Sequence, residues 1–450
     1  MARDWIRLPS YSSKDEAEKC APDGWQALQI EQLYEQLPVG KRFEQKTSLP
    51  VGRVPVIDQS AAGIVGWHNE APGVSASSKS PVVTFANHTC EMRLMERPFS
   101  VIQNVFPLVG RDNVCRTKFF YYLTKGRVWL EEYKGHFPDF RRKWILCPPY
   151  RDQERLTKVL GDLDKKISLN LSSNQTLEAM AQAIFQSWFV EFDPVKAKIA
   201  AKAEGRDPLR AAMSVISGKA DAELDTLPPE QYEQLAATAA LFPDEMEESE
   251  LGEIPKGWAS SSVADVAEFG GGKVDVSALS KDIYISTENM LENRGGVSRA
   301  ASIPSVATVP SFRIGQILVS NIRPYFKKIW MARFDGGRSP DVLALEPIVP
   351  QSTEFLYNLM YQDAFFEFMT RTAKGAKMPR GDKDAIMGWK FPCPDEALMV
   401  CFSEKVRPYY EYINSLKSEN DSLAELRDTL LPKLLSGELQ VPHAEAEAVA

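Results

Sequence analysis

The sequence has few of the residues from which metal sites and disulfide frameworks are built. Its 450 residues include 6 cysteines, none in a CxxC pair, and 4 histidines. This usage predicts buried thiols rather than a zinc site or a disulfide framework. No apolar run approaches the length of a membrane span, and the N-terminal residues lack the apolar core of a signal peptide. We expect a cytoplasmic protein without a membrane partner.

Recognisable catalytic motifs are also lacking. CPPY at 147–150 has the form of an amino-methyltransferase loop, but its first residue is a thiol, a poor acceptor for the target amine. FGGGK at 269–273 lacks one glycine of a methyltransferase loop and one of a phosphate-binding loop, and it predicts a turn. Asp341 and Glu346 resemble a nuclease carboxylate pair, yet no lysine follows at the required spacing. We therefore predict no catalytic residue, no metal site and no cofactor bound by this chain.

The net charge of -8 is concentrated in one segment. Residues 193–253 hold 14 acidic and 6 basic residues, so the remainder of the chain is neutral. Local basic patches can therefore exist outside this segment, and the overall charge does not exclude a nucleic-acid partner. The segment itself predicts an acidic helical connector, either a solvated linker or a docking surface.

Two long segments carry a heptad pattern, which predicts helices that pair as an antiparallel coiled coil. Asp193-Pro194 marks the end of the first. The first seam consists of Leu156, Leu160, Leu163, Ile167, Leu177, Ala181, Ile184 and Trp188. The second consists of Phe402, Val406, Tyr409, Ile413, Leu416, Asn420, Leu423, Leu430 and Leu434.

The two segments also match each other at a constant offset. Ile167 and Ile413, Asn174 and Asn420, and Pro148 and Pro394 are each 246 residues apart. PDGW at 22–25 and PKGW at 255–258 precede them as a second pair of markers. This regularity predicts an internal repeat with pseudo-twofold symmetry.

The segments between these markers mix short strands with short helices, so the fold class is α+β. The predicted organisation is a first globular recognition domain at 1–152, a spacer helix at 153–192 and the connector at 193–253. A second recognition domain at 254–396, a second spacer helix at 397–437 and a tail at 438–450 follow.

Each globular domain contains basic segments suited to DNA, with Lys and Arg for phosphates and Arg and Asn for base edges. In any one cluster a solvated basic loop is the competing interpretation. In the second domain, SNIRPYFKK and TAKGAKMPRGDK supply Asn321, Arg323, Lys327, Lys328, Lys374, Lys377, Arg380 and Lys383. In the first domain, FANHTCEMR and EEYKGHFPDFRRK supply Asn87, His88, Arg93, Lys134, His136, Arg141, Arg142 and Lys143.

The predicted helix length agrees with a protein that binds two separated half-sites on DNA. A helix over 153–190 would span about 57 Å, and half-sites one DNA turn apart lie about 34 Å from centre to centre. Antiparallel helices carrying a domain at each end can then read two half-sites on one duplex.

Several segments resemble specificity subunits of Type I restriction-modification enzymes. NQTLEAMAQAIFQSWFVEFDPVKAK and LRDTLLPKLLSGEL are similar to their conserved regions. YISTENM, SNIRPYFKK and AKGAKMPRGDK are similar to parts of their second target recognition domain.

The resemblance implies a non-catalytic subunit that binds double-stranded DNA through two target recognition domains, each reading half of a bipartite site. It also implies two modification subunits that bind S-adenosylmethionine and methylate adenine, and restriction subunits that use ATP and Mg. Helix pairing and partner docking are assigned to Leu177, Ile184, Phe185, Trp188, Phe189, Leu423, Leu430 and Leu434, with Phe185, Phe189 or their neighbours meeting a modification subunit. The alternatives are a methyltransferase or nuclease with an unrecognised motif, and a coiled-coil protein adaptor.

Overall fold

A computed structural model describes residues 6–441 except residues 61, 133 and 376. These residues form two compact units. The first unit contains the residues up to Asn170 together with those from Ser418 onward, and the second unit contains Leu171–Lys417. Each unit therefore includes a part of the C-terminal helix, and the domain limits given above stay predictions.

The first unit begins with short strands and helices and leads into a long helix. Strands β1 to β9 span Gln26–Gln29, Tyr34–Gln36, Val54–Ile57, Ile64–His68, Val82–Ala86, Met92–Met95, Ser100–Val101, Val105–Gly110 and Trp144–Cys147. Helices α1 to α4 span Lys14–Lys19, Thr117–Thr124, Phe137–Arg141 and Tyr150–Phe185.

The four-stranded sheet of the first unit has the order β2-β8-β5-β6 and is antiparallel. Its strand β5 is buried along its whole length, which fits the apolar run Val-Val-Thr-Phe-Ala. A second sheet has the order β4-β3-β7, and β1 pairs with β9.

The second unit starts with the acidic segment and continues into a second set of strands. Helices α5 to α8 span Asp193–Ala203, Pro208–Ser217, Asp221–Leu224 and Pro229–Ala240. Strands β10 to β21 span Met246–Ser249, Gly252–Pro255, Ala259–Ser262, Ala267–Phe269, Lys273–Asp275, Tyr284–Ile285, Thr308–Phe312, Ile317–Ser320, Ile329–Met331, Gly336–Arg338, Val342–Pro347 and Lys390–Cys393. Helices α9 to α13 span Val263–Val266, Thr353–Tyr361, Asp363–Thr372, Lys383–Met387 and Glu396–Ser436.

The main sheet of the second unit has the order β13-β20-β17-β18, again antiparallel. A further sheet has the order β14-β16-β19-β15, and β12 pairs with β21. The mixed α/β architecture agrees with the fold class expected from the sequence. FGGGK runs from the end of β13 to the start of β14, and its three glycines form an irregular connection between two sheets rather than the predicted turn.

Inside each unit, segments of α4 and α13 run antiparallel. In the first unit, Asn170 Nδ2 donates to Asn420 Oδ1 at 2.9 Å. One to two turns away, Arg427 Nη1 donates to Asp164 Oδ1 at 3.1 Å. In the second unit, the charge of Lys417 acts on Glu178, and the ring of Phe185 lies 5.5 Å from that of Phe402. Later residues of α4 therefore contact earlier residues of α13, which means that the two helices run in opposite directions within each unit.

The end of α4 packs into an aromatic core in the second unit. Gln186–Val190 form a π-helical turn, and Phe192 then adopts left-handed backbone geometry, with a φ of 57°. Pro194 occupies the first turn of α5, so the predicted stop at Asp193-Pro194 is also the start of the next helix. None of the helices in the described part of the chain is long and apolar enough to cross a membrane.

Candidate nucleic-acid interface

The structure brings together the two basic segments of the second unit that the sequence singled out separately. Asn321 follows the last residue of β17. Arg323 N donates to Pro379 O at 2.8 Å, and Gly381 N donates to Asn321 O at 2.9 Å. The segment 321–328 and the segment 374–383 therefore form one surface at the end of a central strand. We call it the Asn321 surface.

Asn321 lies at the centre of this surface with an unsatisfied acceptor. The residue is 7% exposed, and its Oδ1 has no hydrogen-bond partner among the described residues. A Cβ at Gly381 would lie 2.7 Å from this oxygen, so the glycine is required for the close approach. Buried polar atoms are nearly always paired, so this unpaired acceptor sets Asn321 apart from most buried polar residues.

The backbone between Asn321 and Lys328 is held in unfavourable geometry. Arg323 and Lys327 both have left-handed backbone angles, with φ of 49° and 50°. Asn293 N donates to Phe326 O at 2.8 Å, and Arg294 N donates to Lys327 O at 2.9 Å. Such strain persists only where neighbouring structure enforces it, and it is concentrated at functional sites.

Some cations of the Asn321 surface are available to a ligand. Lys377 is exposed and forms no ion pair within the described residues. Arg380 is 56% exposed and lies 3.2 Å from Asp341. Lys374 is 81% exposed and contacts Asp382. Exposed pairs of this kind are weak and exchange readily for another anion.

The other predicted cations make contacts within the chain. Lys327 Nζ lies 2.7 Å from Asp363, whose pKa is held below its ordinary value by hydrogen bonds from Arg294 and from Lys327. Lys328 Nζ donates to Thr287 O at 2.8 Å. Arg323 is half-buried, and Lys383 lies 5.8 Å from the ring of Phe269.

In the first unit the two predicted segments also meet. Asn87 follows β5, and its Oδ1 accepts a hydrogen bond from Phe137 N at 3.0 Å. His136 N donates to Asn87 O at 2.8 Å. His88 Nδ1 lies 3.1 Å from Lys134 O. We call the joined segments 86–93 and 131–143 the Asn87 surface.

The Asn87 and Asn321 surfaces occupy equivalent places in the two units. Both asparagines follow the strand at the third position of a four-stranded sheet with the same pattern of neighbours. A Cβ at Gly135 would lie 3.0 Å from Asn87 Nδ2, which matches the contact between Gly381 and Asn321. Gly135 and Gly381 are 246 residues apart, the offset of the helices. The internal repeat therefore includes the candidate site, and this offset was the signal that sequence reasoning missed.

The remaining predicted residues of the Asn87 surface differ in how free they are. Arg93 contacts Ser60 O, and Arg141 Nη2 lies 2.8 Å from Glu31. Lys134 and Arg142 each lie 3.6 Å from Asp139. Lys143 is half-buried. His136, at 2% exposed, has its Nε2 3.0 Å from Glu132 O and makes a structural contact.

Two residues of the docking prediction are buried within this chain. Phe185 and Phe189 are 1% and 5% exposed. Their rings pack against Phe355 and Phe402 of the same chain. Contact with a modification subunit therefore stays a prediction for their exposed neighbours, such as Val190, which is 44% exposed.

The other predicted pairing residues lie inside or beside the cores. Trp188 is buried in the same cluster, and Leu177 and Ile184 are half-buried against it. In the first unit, Leu434 is buried and Leu430 is half-buried in the core that includes Leu156. Leu423 is half-buried.

The carboxylates that resembled a nuclease pair are each occupied separately. Asp341 faces Arg380. Glu346 accepts from Gln316 at 2.7 Å and from Arg313 at 2.8 Å, and these hydrogen bonds hold its pKa below the ordinary value. Among the described residues, no group of three His, Cys, Asp or Glu residues is arranged to hold a metal ion.

Comparison with known proteins identifies the family. No family model matches the chain. It is 30% identical over 325 residues to the HindI specificity subunit of a Type I restriction enzyme from Haemophilus influenzae, covering 66% of this chain and 69% of that protein. It is 21% identical over 436 residues to the EcoDI specificity subunit from Escherichia coli, covering 93% and 89%.

A solved S subunit of a Type I restriction-modification system from M. genitalium is similar over 91% of this chain and 96% of that chain, with 15% identity and a TM-score of 0.49. The chain belongs to the family of Type I restriction enzyme specificity subunits, as the HindI relative shows and as the sequence motifs indicated.

Proposed function

We propose that this chain is the DNA-recognition subunit of a Type I restriction-modification complex in the cytoplasm, and that it is not itself catalytic. The observation that carries the proposal is the same asparagine-centred surface in both units, at the end of equivalent strands. A duplicated surface is what a reader of a bipartite target requires. The Asn87 surface then reads one half, and the Asn321 surface reads the other.

The residues of the Asn321 surface divide between two tasks. Asn and Arg side chains form paired hydrogen bonds with adenine and guanine edges, whereas lysines neutralise phosphates. Asn321 and Arg380 are assigned to base edges. Lys374 and Lys377, both exposed, are assigned to the backbone.

The long helices are proposed to pair as an antiparallel coiled coil that separates two target recognition domains. The antiparallel contacts found inside each unit support this assignment. By family resemblance, the helices also dock two modification subunits, which bind S-adenosylmethionine and methylate adenine. Restriction subunits that use ATP and Mg complete the complex.

Sequencing of modified bases tests the proposal directly. The source chromosome is compared with and without the gene for this chain. A bipartite adenine-methylated motif with a fixed gap should disappear on deletion. If methylation is unchanged, the gene is expressed with its neighbouring modification gene in an unmethylated host, and the absence of any new methylated motif there rejects the proposal.

The assignment of one half-site to the Asn321 surface has its own test. Lys377→Ala combined with Arg380→Ala should weaken recognition of one half of the motif and leave recognition of the other half unchanged. Methylation is compared on targets that carry base changes in one half or in the other. Lys219→Ala, an exposed lysine of the acidic segment, is the matched control and should leave both halves unchanged. Equal loss at both halves contradicts the assignment.

A further inference from the structure

The first unit contains a polar cavity of about 340 Å³ that is lined partly by segment 131–143 of the Asn87 surface. The other lining residues come from two further parts of the chain, which are Tyr11 and Ser12 before α1 and Arg127–Trp129 after α2. The charged residues of the lining are Arg127, Glu131, Lys134, Asp139, Arg142 and Lys143. Four cations and two anions give the lining a positive balance in a chain whose net charge is -8.

Arg127 distinguishes this cavity from an exposed basic patch. It is 7% exposed. Within the described residues, its guanidinium makes a single hydrogen bond, from Nε to Leu123 O at 3.0 Å. No carboxylate of the described residues forms an ion pair with it, and burial lowers the pKa of Arg127 to about 10, which still leaves it charged at neutral pH. A buried charge without a partner is costly, and a bound anion would offset that cost.

The local fold explains why the arginine is held there. Gly126 has a φ of 85°, which turns the chain sharply where α2 ends. Leu8 N donates to Gly126 O at 2.9 Å, and Tyr11 N donates to Trp144 O at 3.0 Å. The segment before α1 therefore covers the turn and fixes Arg127 against the cavity.

We propose that this cavity binds a phosphate group, with Arg127 as the buried recognition residue and Arg142 and Lys143 at the rim. A guanidinium matches phosphate oxygens through paired hydrogen bonds. The volume lies at the lower end of the range for ligand pockets, and suits a phosphate with its attached sugar. The phosphate belongs either to a DNA strand, which rests on the function proposed above, or to a free phosphorylated molecule.

Inorganic phosphate is the probe for the site itself. The full chain is heated in phosphate and in chloride at equal ionic strength, and the unfolding midpoint should rise saturably in phosphate alone. Arg127→Met should weaken the apparent phosphate affinity by about tenfold or more, because a charge-assisted hydrogen bond is lost. Lys79→Met, at an exposed position outside the cavity lining, should behave as the wild type.

A rim variant covers the case in which Arg127→Met does not fold. Arg142→Gln combined with Lys143→Met changes side chains of which Arg142 is 69% exposed, and it should also weaken phosphate binding. No saturable response in the wild type, or an equal response in every folded variant, overturns the proposal.

Duplex DNA separates the two sources of phosphate. If the cavity holds a backbone phosphate, Arg127→Met should reduce the slope of log affinity against log salt by about 1. If the slope is unchanged while the response to inorganic phosphate is lost, the ligand is a free phosphorylated molecule. Because the phosphate measurement requires no DNA, failure of the recognition function leaves this result intact.

Discussion

Phe185→Ala separates a core role for this residue from a docking role. Phe185 is 1% exposed, with ring centroids of Phe189, Phe355 and Phe402 at 5.0, 5.7 and 5.5 Å. Removing a buried phenylalanine costs roughly 3–5 kcal/mol of unfolding free energy. At about 2–4 °C per kcal/mol for a unit of this size, the unfolding midpoint should fall by roughly 6–20 °C. Calorimetry of the purified chain measures this directly.

The matched control is Met180→Ala on the same helix. Met180 is 44% exposed, and its truncation should change the free energy of unfolding by less than about 0.5 kcal/mol. Binding of modification subunits is measured for both variants below their unfolding midpoints. An unchanged midpoint for Phe185→Ala together with weakened subunit binding would refute the reasoning, because it would mean that the ring faces a partner rather than the core.

Three further predictions address the helix, the glycines and a buried lysine. Leu177→Asp should lower the unfolding midpoint, because the half-buried Leu177 packs against the aromatic core and a carboxylate there is desolvated; Leu171→Asp, at a 47% exposed position, is the control, and equal midpoints contradict the prediction. Gly381→Ala should disturb recognition of one half-site and Gly135→Ala the other, since the added Cβ would meet Asn321 or Asn87. In Gly271→Ala the added Cβ meets open space, so this control should alter recognition of neither half-site. Methylation of targets with base changes in one half or the other is measured for all three variants. Loss of recognition of the same half-site in Gly381→Ala and Gly135→Ala would disprove the assignment. Burial lowers the pKa of Lys125 to about 8, so above that pH and up to about 10 the unfolded chain binds more protons and the free energy of unfolding rises with pH. Lys125→Met should abolish this rise in denaturant unfolding at about pH 7.5 and about pH 9.5, and an identical rise in both proteins would count against it.

The long helices were predictable because their signal is local. Heptad spacing depends on residues three and four apart, and α4 and α13 begin and end within a few residues of the predicted limits, if the π-helical turn is included. The sequence also indicated a broad apolar face, because Ile184, Phe185, Trp188 and Phe189 cover more of the helix surface than a coiled-coil seam of two positions per heptad. What covers that face depends on distant parts of the chain, so the sequence alone did not show that Phe185 and Phe189 are buried by Phe355 and Phe402.

The candidate site was predictable only in fragments. The composition of 321–328 and 374–383 marked both as basic, but their contact depends on strand order over more than fifty positions. Arg127 was missed because it shares only a short basic turn with Lys125 and is followed by the apolar Val128 and Trp129. Burial, not sequence context, makes that arginine distinctive.

The two units share the same strand pairing but differ in the hydrogen bonds of their equivalent asparagines. Strand β1 pairs Gln26 with Cys147, and β12 pairs Ala259 with Cys393, so this pairing is repeated in register. At the equivalent asparagines, however, Asn87 Oδ1 is occupied by Phe137 N, whereas Asn321 Oδ1 has no partner among the described residues. The equivalent asparagines of the two proposed readers therefore have different surroundings, so the two halves of the target should differ in sequence. A target with unlike halves can be bound in one orientation only, which fixes the direction of the subunit on the duplex.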